Sequence, residues 1–400
     1  MKTRLFSPLE IRDVVLKNRV MAAPMWQYAG NRGRPNDWHL MNLGRLADGG
    51  AGLVFQEGTT VERRGCGTVG DLGLWSDESI DFYRRIVSLI AACGAVPGIQ
   101  LIHAGRKARQ KLPSQGRGAL TRTPDIKDWD SWEVVAPSAI SQDKETPPPR
   151  EMRLSDIQQV IEAFASAARR ANEIGYRVLE LHAAHGYLLH QFLSPLSNLR
   201  TDGYGGSLHN RVRMVLEVVD AVRSVWPQNK PLFVRLSCVD GDASGWSLQD
   251  TISLVRMLHT RGVDLIDCSS GGIDGSPLTK GLAATYGYQA ELASAVRLET
   301  GVPTAAVGLI VHPNQAEQIV KEGKSDLVAL ARELIYNPNW PMDASRKLGD
   351  EKSFNVMQTN GAFWLERRAL SVPALVPSTY ADPFARSDLA DSRRHTGVCA

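Results

Sequence analysis

Short runs of β-branched and apolar residues alternate with longer helical stretches, and this alternation limits the possible folds more than any other feature of the chain. Such a pattern is typical of parallel βα units rather than of a β-sandwich. It predicts eight strands, at Val20–Ala23, Gly52–Thr59, Val96–His103, Arg177–Ala183, Leu232–Ser237, Asp264–Ser269, Pro303–Gly308 and Asp326–Ala331. Eight strands with helical crossovers indicate an α/β fold, the (β/α)8 TIM barrel. A doubly wound sheet is the alternative, but no GxGxxG motif follows the first strand.

The stretches between these strands have the periodicity of helices. Apolar residues form one stripe along Ser155–Gly175, for which we expect Ser155 as the N-cap and Gly175 as the end. The same reasoning predicts a single helix over Ser207–Trp226. Further helices are predicted at Ser76–Gly94, Ser247–Gly262, Tyr288–Gly301, Pro313–Gly323 and Glu333–Gly349.

Two segments depart from the βα repeat within a predicted barrel of residues 1–349. Residues 111–150 are rich in Pro, Gly, Ser and Trp and separate the third strand from its helix, so we expect an excursion that caps the barrel mouth. Residues 350–400 form a tail with an aromatic and basic stretch at residues 363–368, which we expect at a subunit interface. Residues 391–400 are expected to be disordered.

Composition limits the partners of the protein. The 46 Lys and Arg residues against 43 Asp and Glu give a net charge of +3, and they are scattered, so neither nucleic acid nor an anionic membrane is expected. The N-terminus lacks the apolar core of a signal peptide, and no apolar run approaches about 20 residues, so we expect a soluble, cytoplasmic protein. The five cysteines include no CxxC pair, which argues against a disulfide framework, a zinc site or a cysteine-ligated iron–sulfur cluster.

Polar residues at the ends of the predicted strands are the informative ones, because active sites of such barrels are built there. Gln100 lies on the third strand and Arg235 on the fifth. A glutamine amide recognises donor and acceptor edges of a planar heterocycle, and an arginine stabilises negative charge on it. The two together indicate a site for a reduced flavin.

His182 and His185 follow the fourth strand at a spacing of three. In one helical turn, that spacing would direct both imidazoles at a single oxygen atom and polarise a carbonyl group. A satisfied core histidine is an equal alternative for one of the two residues. Zinc ligation is a third, although no carboxylate or third ligand accompanies them and His190 is one turn too remote. Tyr187 offers a phenolic proton, or it is simply an amphipathic aromatic at the barrel mouth.

The ends of strands seven and eight are where such barrels bind phosphate. Gly308, Ala331 and Arg332 lie there, and backbone N–H groups with an arginine suit a phosphate monoester, although Arg332 also fits a surface residue that starts a helix. The loop after strand six contains Ser270 and Gly271, whose small side chains allow close approach of a ligand but do not require one.

The chain resembles the old yellow enzyme family of FMN-dependent ene-reductases, and most closely its bacterial thermophilic-like branch. The resemblance extends from residue 5 to about residue 349. It is carried by Leu5–Leu9, by Lys17–Val20 leading to Ala23–Met25, by Ile99–Leu101 with His103–Arg106, by His182–Pro195 and by Asn198–Arg211.

This resemblance implies a role for each matching position. The isoalloxazine ring of FMN would lie along Ala23, Pro24, Met25 and Gly58, with Gln100 at its pyrimidine edge and Arg235 beside N1 and the C2 oxygen. Its phosphate would be held by Gly308, Ala331 and Arg332, with Ser270 and Gly271 nearby. The substrate carbonyl would be bound by His182 and His185, the α-carbon protonated by Tyr187, and the substrate covered by Tyr28. Arg367 or Arg368 would reach into the active site of a neighbouring subunit.

One position departs from the pattern of this branch. Trp26 stands after Pro24–Met25, where a cysteine beside the flavin is usual. An indole there fills volume over the ring and removes the thiol, which affects pocket size, flavin potential and the preferred direction of reaction. The alternative is that Trp26 points into the wall and only packs.

The residues and the resemblance together predict an enzyme that reduces the C=C bond of α,β-unsaturated carbonyl compounds with NAD(P)H, through FMN, by ping-pong hydride transfer to a small-molecule substrate. We expect a homodimer or homotetramer without a metal ion. One alternative is an FMN-dependent desaturase of saturated cyclic ketones that uses oxygen. Another is a flavin-free aldolase or isomerase with a phosphate-binding barrel.

Overall fold

Eight parallel strands close into a barrel in the computed structural model, which describes residues 3–116, 118–274, 282–350 and 352–372. Each strand pairs with the next along the chain, and the first pairs with both the second and the last. The predicted (β/α)8 barrel is therefore confirmed. The strands are β1 (Val20–Ala22), β2 (Leu53–Thr60), β3 (Val96–Ile102), β4 (Val178–Ala183), β5 (Leu232–Ser237), β6 (Leu265–Ser269), β7 (Thr304–Ala306) and β8 (Leu327–Leu330).

Helices surround the barrel on its outer face. They are α1 (Asp37–Asp48), α2 (Ile80–Ala92), α3 (Leu154–Ile174), α4 (Leu188–Leu193), α5 (Leu208–Arg211), α6 (Arg213–Arg223), α7 (Leu248–His259), α8 (Ala290–Thr300), α9 (Pro313–Lys321), α10 (Arg332–Tyr336), α11 (Trp340–Lys347) and α12 (Thr359–Ser371). Short 3-10 helices lie at Arg63–Gly65, Asp77–Ser79, Gly105–Lys107, Pro113–Gln115 and Ser353–Val356.

Three details of the predicted helices are wrong. Ser155 is not the N-cap of α3, because the helix begins at Leu154 and the Asp156 carboxylate accepts a hydrogen bond from the backbone N–H of Arg153 at 2.8 Å. A carboxylate in the first turn also suits the helix dipole. The segment predicted as one helix from Ser207 consists of the two helices α5 and α6. The segment predicted as one helix over Glu333–Gly349 likewise consists of the two helices α10 and α11.

The barrel interior is filled from its N-terminal end. A hairpin of Leu9–Ile11 and Val14–Leu16, which the sequence reasoning missed, packs Val14 and Leu16 against interior residues such as Phe55. A second apolar layer lies between the strands and the helices. Because the N-terminal end of the barrel is closed by apolar side chains, polar chemistry is confined to its C-terminal mouth.

The excursion between β3 and α3 is fixed to that mouth. Trp132 is fully buried, and its indole N–H donates to the carbonyl oxygen of Cys66 at 3.1 Å. The Arg63 guanidinium lies 3.7 Å above the Trp132 ring. A two-residue strand, Val135–Ala136, pairs with Arg150–Glu151 and holds the end of the excursion.

The tail ends, within the described residues, in α12, whose aromatic side chains face solvent. Phe363 is 50% exposed and Trp364 71% exposed. The segment expected to be disordered, residues 391–400, lies outside the described residues. Among the helices that the structure describes, none is both long and apolar enough to cross a membrane.

Candidate active site

The predicted site residues lie at the C-terminal mouth of the barrel, at or just beyond the strand ends. The strand register places Arg235 on β5 beside His182 on β4, and Gln100 on β3 beside Glu180 on β4. Side chains from β3, β4 and β5 thus meet at neighbouring positions along the closed sheet. Their roles follow from what each group contacts.

Gln100 is oriented by a buried carboxyl group. Its amide nitrogen donates to Glu180 Oε1 at 2.7 Å, so its amide oxygen faces the other way, toward Gly58. A Cβ added at Gly58 would lie 3.3 Å from that oxygen and 3.0 Å from the Trp26 indole nitrogen. Gln100 therefore presents an acceptor beside backbone that has no side chain.

Arg235 is buried next to acidic groups of the barrel interior. Its Nε lies 3.3 Å from Asp267 Oδ2. Burial, with the nearby charge of Asp267, raises the pKa of Glu180 to about 8, and burial also raises the pKa of Asp267. A proton retained by this pair of carboxyl groups reduces the negative charge around Arg235, which leaves the guanidinium able to interact with an anionic ligand.

Trp26 forms part of the aromatic wall of the mouth. Its indole N–H donates to the carbonyl oxygen of Gly58 at 2.6 Å. Its ring packs edge-on against Tyr187, with centroids 5.1 Å apart, and lies 5.8 Å from the ring of Tyr28. Tyr28 has a left-handed backbone with φ of 55°. The indole thus contacts both tyrosines that the sequence assigns to the substrate.

His182 and His185 meet, but not through a helical turn. His182 belongs to β4, and His185 follows in a turn with φ of 58°. The expectation of one helical turn is therefore wrong, and a strained left-handed residue brings the rings together. The His185 backbone N–H donates to Ser237 Oγ at 2.9 Å, which supports this conformation.

The two imidazoles face each other through their ring nitrogens. His182 Nε2 lies 3.3 Å from His185 Nδ1, and His185 Nε2 lies 2.6 Å from Ser269 Oγ. Burial and the nearby charge of Arg235 lower the pKa of both histidines well below the usual value. Both rings are thus neutral at physiological pH and offer N–H groups without carrying charge.

His190 does not join the other two histidines. Its Nε2 lies 2.9 Å from Asp240 Oδ1, and its Nδ1 accepts from the backbone N–H of Gly186 at 2.9 Å. Both of its nitrogens are therefore occupied in holding the turn after β4. Within the described ranges, no group of three His, Cys, Asp or Glu side chains is placed to hold a metal ion.

Lys107 is a site residue that the sequence reasoning missed. Its Nζ donates to the carbonyl oxygens of His185 at 2.7 Å and Gly272 at 2.6 Å, and it lies 5.2 Å from the ring centre of Tyr187. Burial lowers the pKa of Lys107 to about 7, and burial raises that of Tyr187. The position of Lys107, directly after the His103–Arg106 motif, was the available signal.

The predicted phosphate region lies at the ends of β6, β7 and β8. Gly308 has φ of 105°, and a Cβ there would lie 2.6 Å from Gln289 Oε1. Gln289 Nε2 donates to Ser270 Oγ at 2.7 Å, and Gly271 has φ of 69°. Ala331 directly precedes α10. Arg332 begins α10 and is exposed. This agrees with the alternative that it is a surface residue at the start of a helix.

Comparison with known proteins identifies the family. The family model described as "NADH:flavin oxidoreductase / NADH oxidase family" matches residues 4–351. The chain belongs to this family. A NADPH dehydrogenase of Geobacillus sp. (strain WCH70) is 42% identical over 363 residues, which make up 90% of this chain and 99% of that protein.

Solved structures of this flavin oxidoreductase family agree with the assignment. Morphinone reductase is similar with a TM-score of 0.72 and 25% identity, over 87% of this chain and 90% of that one. A 2-naphthoyl-CoA reductase has a TM-score of 0.76 and 27% identity over 88% of this chain, which spans only 53% of that longer chain. The resemblance to the old yellow enzyme family is confirmed, as is an oxidoreductase that uses FMN and NAD(P)H. These relatives leave the flavin-free alternative without support and do not favour the desaturase.

The residues of the mouth fit FMN, the cofactor of the family. The Gln100 amide oxygen is an acceptor beside Gly58, where an added Cβ would lie 3.3 Å from that oxygen. Arg235 is a buried cation close by. Gly308 likewise has no room for a Cβ, which would lie 2.6 Å from Gln289 Oε1. A ring with an N–H edge and a developing negative charge matches this set of donors and acceptors.

Proposed function

We propose that this flavin oxidoreductase reduces the C=C bond of α,β-unsaturated carbonyl compounds. The observation that carries the proposal is the pair of neutral imidazoles, with ring nitrogens of His182 and His185 3.3 Å apart beside Tyr187 and Trp26. Two neutral N–H donors that converge on one point are suited to a carbonyl oxygen that becomes negative during reaction. Bound FMN supplies the hydride chemistry, with NAD(P)H as the reductant.

We assign the cofactor contacts as the resemblance implies. Gln100 accepts from the pyrimidine edge of the ring, and Arg235 stabilises negative charge at its N1 and C2 oxygen side. The ring lies along Ala23, Pro24, Met25 and Gly58, and the phosphate is held by Ser270, Gly271, Gly308, Ala331 and Arg332. The support is the orientation of Gln100 by Glu180 and the lack of room for a Cβ at Gly58 and Gly308.

The catalytic roles belong to three side chains. His182 and His185 donate to the substrate oxygen and favour the transition state, in which that oxygen carries more charge than in the ground state. Tyr187 gives its phenolic proton to the α-carbon. The Tyr187 ring lies 5.0 Å from that of His182, which supports this assignment.

Trp26 and Tyr28 shape the substrate pocket. The indole is held by Gly58 and packs on both tyrosines, so it narrows the space over the position assigned to the ring. We therefore expect a preference for small or flat enones over bulky ones.

The proposal extends to assembly and location. We propose a cytoplasmic homodimer or homotetramer in which α12 packs on a neighbouring subunit and Arg367 or Arg368 enters its active site. The exposed rings of Phe363 and Trp364 on α12 support a packing role for this helix.

The test is a spectroscopic titration of the purified protein under anaerobic conditions. NADPH or NADH is added until the flavin band bleaches, and cyclohexenone is then added in the same cuvette. We expect full bleaching followed by recovery of the oxidised flavin spectrum and formation of cyclohexanone. Bleaching that persists after cyclohexenone and after a series of other enones would overturn the proposal.

A further inference from the structure

Ser269 and Gln289 form a buried hydrogen-bonded pair behind the two imidazoles. Gln289 Nε2 lies 3.3 Å from Ser269 Oγ, which lies 2.6 Å from His185 Nε2. Both side chains are more than nine-tenths buried. Ser269 ends β6 and Gln289 directly precedes α8, so two consecutive segments of the barrel hold the pair. The function proposed above assigns no role to either residue.

The hydrogen bonds of the two histidines define where their protons lie. The backbone N–H of Ala184 donates to His182 Nδ1 at 3.2 Å, so the single proton of neutral His182 is on Nε2. That N–H points at His185 Nδ1, which must accept, because two N–H groups facing each other across 3.3 Å repel. The proton of His185 is therefore on Nε2 and is directed at Ser269 Oγ.

A carbonyl oxygen at this site requires a different arrangement. An oxygen about 2.9 Å from each of the two facing nitrogens accepts from both only if His185 carries its proton on Nδ1. The Nε2 lone pair of His185 is then buried and needs a donor. The Ser269 hydroxyl is the group within reach. The Gln289 amide N–H donates to the Ser269 oxygen and so favours a hydroxyl proton that points at His185.

We propose that Ser269, held by Gln289, is a positioning residue that stabilises the Nδ1–H tautomer of His185 when a carbonyl group binds. His185 stays neutral throughout: the proton leaves Nε2 to solvent water and another arrives at Nδ1 from it, while the Ser269 hydroxyl turns from acceptor to donor. The inference rests on the proposed function only in taking the ligand oxygen to bind between the two histidines.

The test is nitrogen NMR of FMN-loaded, oxidised protein labelled with ¹⁵N-histidine. Two probes carry a carbonyl oxygen without reducing the flavin: cyclohexenone, and a tetrahydro-NADPH whose tetrahydropyridine ring does not give up a hydride. We expect the Nε2–H form of His185 in the free protein and the Nδ1–H form with either probe. Ser269→Ala is expected to weaken the binding of both probes roughly tenfold, because it leaves a buried nitrogen without a donor.

Matched variants separate this role from a structural one. Ser269→Thr keeps a hydroxyl and is expected to restore both the tautomer change and the affinity, whereas Gln289→Leu weakens the change. Ser237→Ala removes the support of the His185 backbone but touches neither ring nitrogen, so the tautomer change is expected to persist.

Two results would overturn the inference: the same His185 tautomer with and without a bound probe, or wild-type probe affinity in Ser269→Ala. Turnover of cyclohexenone with an unchanged tautomer rejects the role of Ser269 and leaves the proposed function standing. A tautomer change with the tetrahydro-NADPH in a protein that turns over no enone supports Ser269 and rejects the proposed function.

Discussion

Two groups of histidines in this protein differ in what their rings face. Three are paired with buried or half-buried carboxylates at 2.9–3.0 Å: His39 with Glu57, His103 with Glu62 and His190 with Asp240. His182 and His185 face each other and Ser269 and, among the described residues, form no pair with a carboxylate. His182 is buried like the three paired histidines and His185 is half-buried, so the chemistry of the neighbour, more than burial, separates the two groups.

The two groups differ in how the surroundings affect the ionisation of the groups in contact. Burial opposes ionisation of Asp240, but its contact with His190 and the hydrogen bonds that it accepts from Ser194 and Trp246 outweigh burial and hold the pKa of that carboxyl below its usual value. For His182 and His185, burial and Arg235 act in the same direction and lower the pKa. A histidine paired with a carboxylate stabilises the fold, whereas a neutral pair is free to bind an uncharged carbonyl.

The largest expected effect tests the neutral pair. Replacing His182 and His185 together with alanine is expected to lower kcat/KM for cyclohexenone about 1000-fold, because loss of one such donor costs roughly 100- to 1000-fold. FMN content, measured by absorbance after denaturation, is expected to stay near one per chain. His209→Ala, at an exposed position on α5, is the control with unchanged kinetics. Normal turnover in the double variant would remove the distinction between the two groups.

The second prediction tests the carboxylate-paired group. His190→Ala leaves Asp240 buried without its partner and is expected to lower the free energy of unfolding by about 3 kcal/mol. Urea unfolding followed by circular dichroism measures the loss. A smaller loss is expected for His190→Ala combined with Asp240→Asn, since no buried charge is then left unpaired. If His190→Ala unfolds at the same urea concentration as the wild type, the pair of His190 and Asp240 does not contribute to stability.

Trp26 tests the surroundings of the neutral pair, because its ring packs on Tyr187 and Tyr187 packs on His182. Trp26→Cys removes the hydrogen bond to Gly58 and the edge contact with Tyr187, and the unfolding free energy is expected to fall by about 1 kcal/mol. It also opens the pocket, so kcat/KM for a bulky 3-substituted cyclohexenone relative to cyclohexenone is expected to rise roughly fivefold. Trp26→Phe keeps an aromatic ring and is the matched control. An unchanged ratio in Trp26→Cys would place the indole outside the substrate pocket.

The smallest effect concerns the charge of Lys107 beside Tyr187. Because burial lowers the pKa of Lys107 to about 7, its ammonium loses a proton as the pH rises through that value, and the attraction to the Tyr187 ring is lost. The rate of flavin reoxidation by cyclohexenone is expected to fall about threefold from pH 6 to pH 8. Stopped-flow absorbance measures it. In Lys107→Met this fall of the rate between pH 6 and pH 8 is expected to vanish. If the fall persists in that variant, another group is responsible for the titration.

Several parts of the molecule were beyond sequence reasoning for identifiable reasons. The three-residue strands of the N-terminal hairpin are too short to show a period of two. Helix α3 begins one residue before Ser155 because the Asp156 carboxylate, and not a serine hydroxyl, satisfies the backbone there. The role of Lys107 could not be predicted because a lone lysine is normally solvated. Only the fold shows that its ammonium group lies between two carbonyl oxygens.

The sequence by itself determined the barrel, because eight apolar runs separated by amphipathic stretches bury their surfaces well only when the strands close on one another. It also determined the family, through long motifs around His182 and Gln100. Only the tertiary structure decided which histidines face carboxylates and which face each other, where the Trp26 indole lies, and that Ser269 and Gln289 stand behind His185. These contacts join residues far apart in the chain, and hydrogen bonding depends on distance and direction, which residue spacing does not contain.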